Sequence, residues 1–253
     1  TGGLEINKVF MARQILDIVP NPWVAFEIAK KVIDIFLTNY EEKIVTNNLV
    51  FIIEELRKHL EKERDRLAEQ VFGQLIEQKV LCFFLLSDKG GYKLPSRIRV
   101  KNNSKSLVRH DNTPIQRSLF DFVPEEYFND TEKSVAIYLD EQGKLLWWYR
   151  NLSRQDYYVQ GWKKHKIYPD FIFTDTYDKK QDDYNKVYVV ETKGIHLKNE
   201  DTDYKKNVFD FCNRLGQQKD WRELNLEFAQ KKFEFQVISE DEWKERINRI
   251  FGG

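Results

Sequence analysis

The feature that most constrains the fold is a series of four short apolar segments in the second half of the chain. They have the length and the aromatic and β-branched content typical of β-strands, and they occupy residues 144–150, 167–174, 186–193 and 233–239. Segments with helical spacing of apolar residues alternate with them, at residues 132–141, 204–215 and 241–251. The predicted order is α-β-β-β-α-β followed by one more helix, which indicates an α/β fold of the mixed α+β type.

The first half of the chain is predicted to be helical. A helical pattern over residues 7–19 stops at Pro20, and Asn21 and Pro22 have the order of a cap and a first helical residue. A stripe from Leu49 to Val71 then predicts one long helix. The stripe is expected to pack inside the protein, and the alternative is an interface with another subunit. The predicted regions are a helical part at 1–90, a basic irregular connection at 91–118 and an α/β domain at 119–253.

The charges of the chain balance, with 41 basic and 41 acidic residues, so no global positive field attracts nucleic acid. Residues 93–117 are an exception because they hold seven basic residues and one acid, Asp111. The seven are Lys93, Arg97, Arg99, Lys101, Lys105, Arg109 and Arg117. This segment is predicted either to meet a phosphate backbone or to form a solvated face with acidic neighbours.

Cysteine content and hydropathy predict the compartment. The two cysteines, Cys82 and Cys212, lie far apart in the chain, which excludes a zinc site made of cysteines alone and suits a reducing cytosol. The longest apolar run covers residues 80–86, much shorter than a membrane span. The sequence therefore predicts a cytoplasmic protein without a membrane partner.

Charged residues at the ends of two predicted strands indicate chemistry. Asp170 follows Pro169 in the second strand, and Glu191 and Lys193 close the third. Side chains alternate along a strand, so Glu191 and Lys193 share one face. If the two strands pair as a hairpin, Asp170 meets Glu191 across the ladder. Two close carboxylates favour a divalent cation such as Mg²⁺, which can supply a nucleophilic water and stabilise phosphoryl charge. The alternative is a salt-bridge ladder on the surface.

This pattern resembles the PD-(D/E)xK, or restriction-endonuclease-like, nuclease superfamily, and the resemblance implies that the domain at 119–253 is a nuclease domain. Four strings narrow the resemblance to the C-terminal nuclease region of type III restriction enzyme Res subunits and related defence helicase-nucleases. They are WWYRN at 147–151, YPDFIF at 168–173, VVETKG at 189–194 and DTDYK at 201–205. The N-terminal string DIVPNPW at 17–23 resembles the segment that joins this region to the helicase motor.

The resemblance implies an Mg²⁺-dependent endodeoxyribonuclease, with Mn²⁺ as a substitute, in which Asp170, Glu191 and Lys193 are catalytic. It implies Asp170 and Glu191 as metal ligands, and Glu132 as an accessory ligand. The alternative for Glu132 is an acid favoured by the helix dipole. The residues expected to contact DNA are Arg150, Asn151, Lys163, Lys164, Lys166, Tyr204 and Lys205. For Arg150 and Asn151 a structural role is an equal alternative.

The resemblance also implies partners and a biological role. A helicase motor is expected in the same full-length polypeptide, and a methyltransferase (Mod-type) subunit is expected to read the target sequence, in restriction or anti-phage defence. The chain itself contains no phosphate-binding G-x-x-x-x-G-K-[ST] loop, so no ATP site is predicted here. The alternative function is a non-catalytic module that binds DNA or docks a subunit of the same complex.

Overall fold

The structure is a computed structural model that describes residues 6–81, 98, 100–175, 186–193, 200–215 and 232–252. The chain divides into two compact units, Thr1–Phe72 and Gly73–Gly253. The predicted region boundaries at residues 90 and 118 stay predictions, and the first of them lies outside the described residues. The turns predicted at residues 87–91 and 175–185 fall almost wholly outside them too. In the described residues no helix has both the length and the apolar character needed to cross a membrane.

The first unit is helical, as predicted. Its helices are α1 (Lys8–Gln14), α2 (Pro22–Asn39), α3 (Glu42–Asn47) and α4 (Leu49–Glu77), the last of which continues past the unit. Asn21 caps α2, because its side chain accepts hydrogen bonds from the backbone amides of Trp23 and Val24, and Pro22 is the first helical residue. The predicted cap is therefore confirmed, whereas α3 was not predicted.

The apolar stripe along α4 is only partly core. Ile53 is buried in a cluster with Met11, Ile33 and Val45 from the other helices of the unit. Farther along the helix Leu67 and Val71 are exposed, at 47% and 52%. The helical period was therefore a sound guide to secondary structure, but it did not predict how far along the helix the packing continues.

The second unit contains a four-stranded sheet in the order β1-β2-β3-β4. The strands are β1 (Leu145–Arg150), β2 (Phe171–Asp175), β3 (Lys186–Lys193) and β4 (Lys232–Ser239). The first three are antiparallel neighbours, and β4 runs parallel to β3. The helices are α5 (Asp130–Asp140), α6 (Glu200–Leu215) and α7 (Trp243–Phe251). The described residues thus form seven α-helices and one mixed sheet, and the predicted order of elements is confirmed.

Helices cover both faces of the sheet, because each face is apolar and must be buried. Side chains of α5 and α7 pack with Trp148, Phe171 and Val190 on one face. Side chains of α6 pack with Val189 and Phe235 on the other face. Consecutive residues of a strand point to opposite faces, so the alternation along β3 assigns Glu191 and Lys193 to the α6 face and Thr192 to the α5 face.

The basic segment is used partly inside the protein. Arg109 Nε lies 2.6 Å from Oδ2 of the fully buried Asp140. The guanidinium of Arg117 donates a hydrogen bond to the carbonyl of Leu145, and its backbone amide donates one to Asp140 Oδ1. Lys101 and Lys105 are exposed, and Lys93, Arg97 and Arg99 lie outside the described residues. Two of the arginines expected on a phosphate-binding or solvated face therefore stabilise the fold around α5 and β1.

Candidate functional site

The two central carboxylates lie where the ladder of β2 and β3 ends. Phe171 and Val190 are the last residues paired on this side of the ladder. The amide of Asp170, which directly precedes β2, donates to the carbonyl of Val190 at 2.8 Å, so Asp170 is held next to the residue that precedes Glu191. The prediction that Asp170 meets Glu191 across the ladder stays a prediction.

Hydrogen bonds from two strands hold the carboxylate of Asp170. Its Oδ2 accepts from the backbone amide and from the hydroxyl of Thr192, each at 2.7 Å. Its Oδ1 accepts from Arg150 Nη1 at 3.0 Å. Thr192 and Arg150 together supply donors to both oxygens of this carboxylate. Thr192 therefore orients Asp170, a role that was not predicted.

Arg150, at the end of β1, lies between two carboxylates. Its Nη2 is 2.8 Å from Glu132 Oε1, and its Nη1 is 3.0 Å from Asp170 Oδ1. All three side chains are at most 17% exposed. The guanidinium also lies 5.6 Å and 5.3 Å from the ring centres of Phe128 and Phe171. A partly buried cation in this position neutralises both acids, so the structural role considered for Arg150 is present.

Glu132 has a second structural role at the start of α5. Its side chain and that of Asn129 each accept the other residue's backbone amide, which makes a capping box. Burial raises the pKa of Glu132, Arg150 opposes this by favouring the charged form, and the negative charge of Asp170 adds to the rise. The helix-terminal role considered for Glu132 is therefore also present.

Glu191 occupies the α6 face and is 5% exposed. Its Oε1 accepts from Lys205 Nζ at 2.6 Å. Its Oε2 is buried and has no hydrogen-bond partner among the described residues. Burial, and then the charge of Asp170, raise the pKa of Glu191 to about 7, against the opposing effects of Lys205 and Lys193. The site therefore contains one carboxylate oxygen with free acceptor capacity beside another acid.

Asp201, in the first turn of α6, joins the two lysines. Lys193 Nζ lies 3.3 Å from Asp201 Oδ2, and Lys205 Nζ lies 3.6 Å from the same oxygen. Burial raises the pKa of Asp201, but the two ammonium groups outweigh that effect and lower the pKa overall. Asp201 was not predicted to be a site residue. The signal that could have found it is the i, i+4 spacing of Asp201 and Lys205 on one amphipathic helix.

The residues expected to contact DNA divide into buried and exposed groups. Asn151 is 2% exposed, and its Nδ2 donates to the carbonyls of Pro169 and Tyr157 at 2.7 Å and 2.9 Å. Tyr204 is 4% exposed, and its hydroxyl accepts from the backbone amide of Lys163 at 3.3 Å. Both side chains therefore lie inside the protein. Asn151 is bonded to Pro169, the residue before Asp170, and Tyr204 links α6 to Lys163.

The lysines of this set also differ from one another. Lys164 and Lys166 are exposed, and Lys166 Nζ lies 3.7 Å from the ring centre of Tyr158. Lys163 is half-buried, with its Nζ 5.2 Å from the ring centre of Tyr204. Lys205 is 16% exposed and is paired with Glu191. Lys164 and Lys166 are therefore the members of the set whose ammonium groups are open to solvent beside the Asp170 segment.

The predicted metal ligands do not form one compact group. In the part of the chain that the structure describes, no three or more His, Cys, Asp or Glu side chains are grouped so that they could hold a metal ion. Glu132 lies beyond Arg150 as seen from Asp170. Asp170 and Glu191 nevertheless fit a divalent cation chemically, because both offer hard oxygen donors and Oε2 of Glu191 is a buried acceptor without a partner.

No protein-family model, curated protein or solved structure matches this chain.

Proposed function

We propose that the second unit is an Mg²⁺-dependent DNA endonuclease domain with a restriction-endonuclease-like core, in which Mn²⁺ can replace Mg²⁺. The observation that carries this proposal is the buried, unpartnered Oε2 of Glu191 beside Asp170 and two ammonium groups. A buried acceptor without a partner is costly, and a divalent cation relieves that cost and the repulsion between the two acids at once.

The order of the elements supports the same proposal. The helix α5, the antiparallel strands β1 to β3, the helix α6 and the parallel strand β4 follow one another as the resemblance implies. Asp170 then directly precedes β2, and Glu191 lies in the neighbouring strand β3, in a sheet that helices cover on both faces. Such a scaffold fixes side chains more firmly than a loop does, which catalytic groups require.

Each site residue has a role that its contacts support. Asp170 and Glu191 would hold the cation, and the cation, when bound, supplies Lewis-acid stabilisation of a phosphoryl oxygen. Thr192 orients Asp170, and Lys205 orients Glu191. The Lys193 ammonium would neutralise charge that develops on the phosphate in the transition state. The exposed Lys164 and Lys166 would contact the DNA backbone, which positions the strand without reading its sequence.

Plasmid nicking tests this proposal. Supercoiled plasmid is incubated with the protein in Mg²⁺, in Mn²⁺ and in EDTA, and the wild type is compared with Asp170→Ala and Lys193→Ala. We expect nicking by the wild type that EDTA abolishes and that each substitution lowers by at least about 100-fold, the scale of losing one stabilising group in a transition state. The matched controls are Asp203→Ala and Lys206→Ala, at exposed positions of α6. Equal nicking by all variants contradicts the proposal.

A second candidate function is a non-catalytic module that binds DNA or docks a subunit. The ion pairs of Arg150 with Glu132 and Asp170 favour it, because the protein already neutralises these two acids internally. This candidate predicts DNA binding that weakens steeply with salt and survives Asp170→Asn, with no Mn²⁺ binding. Fluorescence anisotropy with a labelled duplex, together with calorimetric titration of Mn²⁺, separates the two candidates.

The proposed setting is a larger helicase-nuclease of the type III restriction kind, in which a motor lies on the same polypeptide and a methyltransferase subunit reads the target. Copurification of the full-length protein with such a subunit, and ATP-dependent cleavage by that complex, test the setting apart from the nuclease site itself.

A further inference from the structure

Lys193 does not contact the acid that is nearest to it along its own strand. Glu191 and Lys193 project from the same face of β3, and residues two apart on a strand are separated by about 7 Å. A lysine side chain is long enough to span that distance. Yet Lys193 Nζ lies 3.3 Å from Asp201 Oδ2, while Glu191 Oε2 has no partner among the described residues.

This arrangement needs a cause, because an unpartnered carboxylate oxygen inside a protein attracts any mobile cation within reach. The Lys193 side chain is 16% exposed, so most of it is shielded from solvent. Asp201 is the described acid that lies within ion-pair distance of both Lys193 and Lys205. The Asp201 side chain is 54% exposed, whereas each of the two lysine side chains is 16% exposed.

We propose that Asp201 is a positioning residue that holds the Lys193 ammonium away from Glu191, and so keeps Glu191 Oε2 open for a divalent cation. This inference rests on the proposed function, because it concerns the same site. Its consequence is specific. Without the Asp201 carboxylate, Lys193 turns to Glu191 Oε2, and the internal ion pair competes with the cation.

The experiment is a double-mutant cycle that measures Mn²⁺ affinity by isothermal titration calorimetry on the full chain, without DNA. The variants are Asp201→Asn, Lys193→Met and the double variant. Asp201→Asn is expected to weaken Mn²⁺ binding about tenfold or more, the scale seen for groups that orient metal ligands. Lys193→Met is expected to change the affinity little when Asp201 is present, and to restore it when Asp201 is replaced.

A simple charge effect predicts a different result. Removing one negative charge near a cation site weakens binding, and removing one positive charge strengthens it, by the same factor in every background. Asp203→Asn, an equal charge change at an exposed position two residues along α6, measures that background effect. Asp201→Glu keeps the carboxylate and is expected to bind Mn²⁺ within about threefold of the wild type, a difference of less than about 1 kcal/mol.

Two outcomes overturn the inference alone. Additive effects of the two substitutions show that Asp201 acts only through its charge, and a tenfold gain from Lys193→Met in the presence of Asp201 shows that Lys193 already occupies Glu191. A wild-type protein that binds no Mn²⁺ overturns this inference together with the proposed function.

Discussion

Lys205 Nζ donates to Glu191 Oε1 at 2.6 Å, so an ammonium group from α6 and a carboxylate from β3 form an ion pair across the helix and sheet layers. Both side chains are at most 16% exposed. The ion pair fixes one oxygen of Glu191 and leaves the other unpartnered. It also ties α6 to the sheet at the point where the proposed chemistry takes place. The stability of this unit and the geometry of its site therefore depend on the same contact.

Replacing Lys205 by Met is expected to destabilise the protein by about 3 kcal/mol, because it leaves a buried carboxylate without its cation. The matched control is Lys206→Met, at an exposed position of the same helix, which is expected to stay within about 0.5 kcal/mol of the wild type. Urea denaturation followed by circular dichroism measures both. An equal effect of the two substitutions would show that the Lys205–Glu191 pair contributes nothing to folding.

The raised pKa of Glu191 makes stability depend on pH. Burial and the charge of Asp170 raise that pKa to about 7, above the value of an unfolded chain, so the folded state binds the proton more tightly. Glu191 therefore contributes its whole stabilising effect below about pH 4.5, and this contribution is lost as pH rises through about 7. We expect Glu191→Gln to remove up to about 3 kcal/mol of this pH dependence. Denaturation midpoints between pH 4.5 and 8 measure it, and parallel curves for the two proteins would contradict it.

Asp140 is a stability residue that lies away from the proposed site. It is fully buried and accepts from Trp148 Nε1 at 2.9 Å and from Arg109 Nε at 2.6 Å. Burial raises the pKa of Asp140. The hydrogen bonds from Trp148, from Arg109 and from two backbone amides outweigh burial, so the pKa is lowered overall. Asp140→Ala is expected to cost about 3–5 kcal/mol, because it leaves a cation and an indole donor unpaired.

The comparison for Asp140 is Asp121→Ala, at an exposed position of the same unit, which is expected to have little effect. Since the Asp140 pKa is lowered, its contribution is present at neutral pH and is lost as pH falls through the folded-state pKa. Thermal unfolding of both variants at pH 7 checks the difference. A melting temperature for Asp140→Ala equal to that of Asp121→Ala would show that Asp140 does not stabilise the fold.

Gly161 allows the segment before β2 to pack closely on α6. A Cβ atom at this position would lie 2.4 Å from Val208 Cγ2 and 2.7 Å from the Tyr204 hydroxyl, and both of those side chains are buried. Gly161→Ala is therefore expected to destabilise the protein by about 1–3 kcal/mol. Gly143→Ala is the matched control, because a Cβ atom there meets nothing within 4 Å. Equal denaturation midpoints for the two variants would show that the segment moves aside without cost.

Much of the fold was predictable from local patterns. The strand predicted at residues 186–193 has the observed bounds, since its apolar run is long and its ends are charged. The strand predicted at 167–174 begins later, at Phe171, because Ile167 pairs with Val159 in an isolated bridge instead. Trp147 and Trp148 pack in different clusters, as the alternation of side chains along a strand leads one to expect.

The candidate site was predictable only in part. Glu191 and Lys193 followed from their positions in the third strand, and the antiparallel pairing of β2 with β3, which brings the Asp170 amide to Val190, was predicted too. The positions of Lys205 near Glu191, of Arg150 between Glu132 and Asp170, and of Asn151 in the interior were not predicted. Each of these depends on which of several competing charges or polar groups comes within reach after the layers pack.

The sequence by itself determined the order of helices and strands and the face of β3 that carries Glu191 and Lys193, because periods of two and 3.6 residues are local properties of the backbone. Only the tertiary structure decided which acidic side chain pairs with which basic side chain. Arg109 and Asp140 are 31 residues apart in the chain, and Lys205 and Glu191 are 14 apart. Coulomb energies depend on distances in space and on burial, and neither is encoded in the spacing of the charges along the chain.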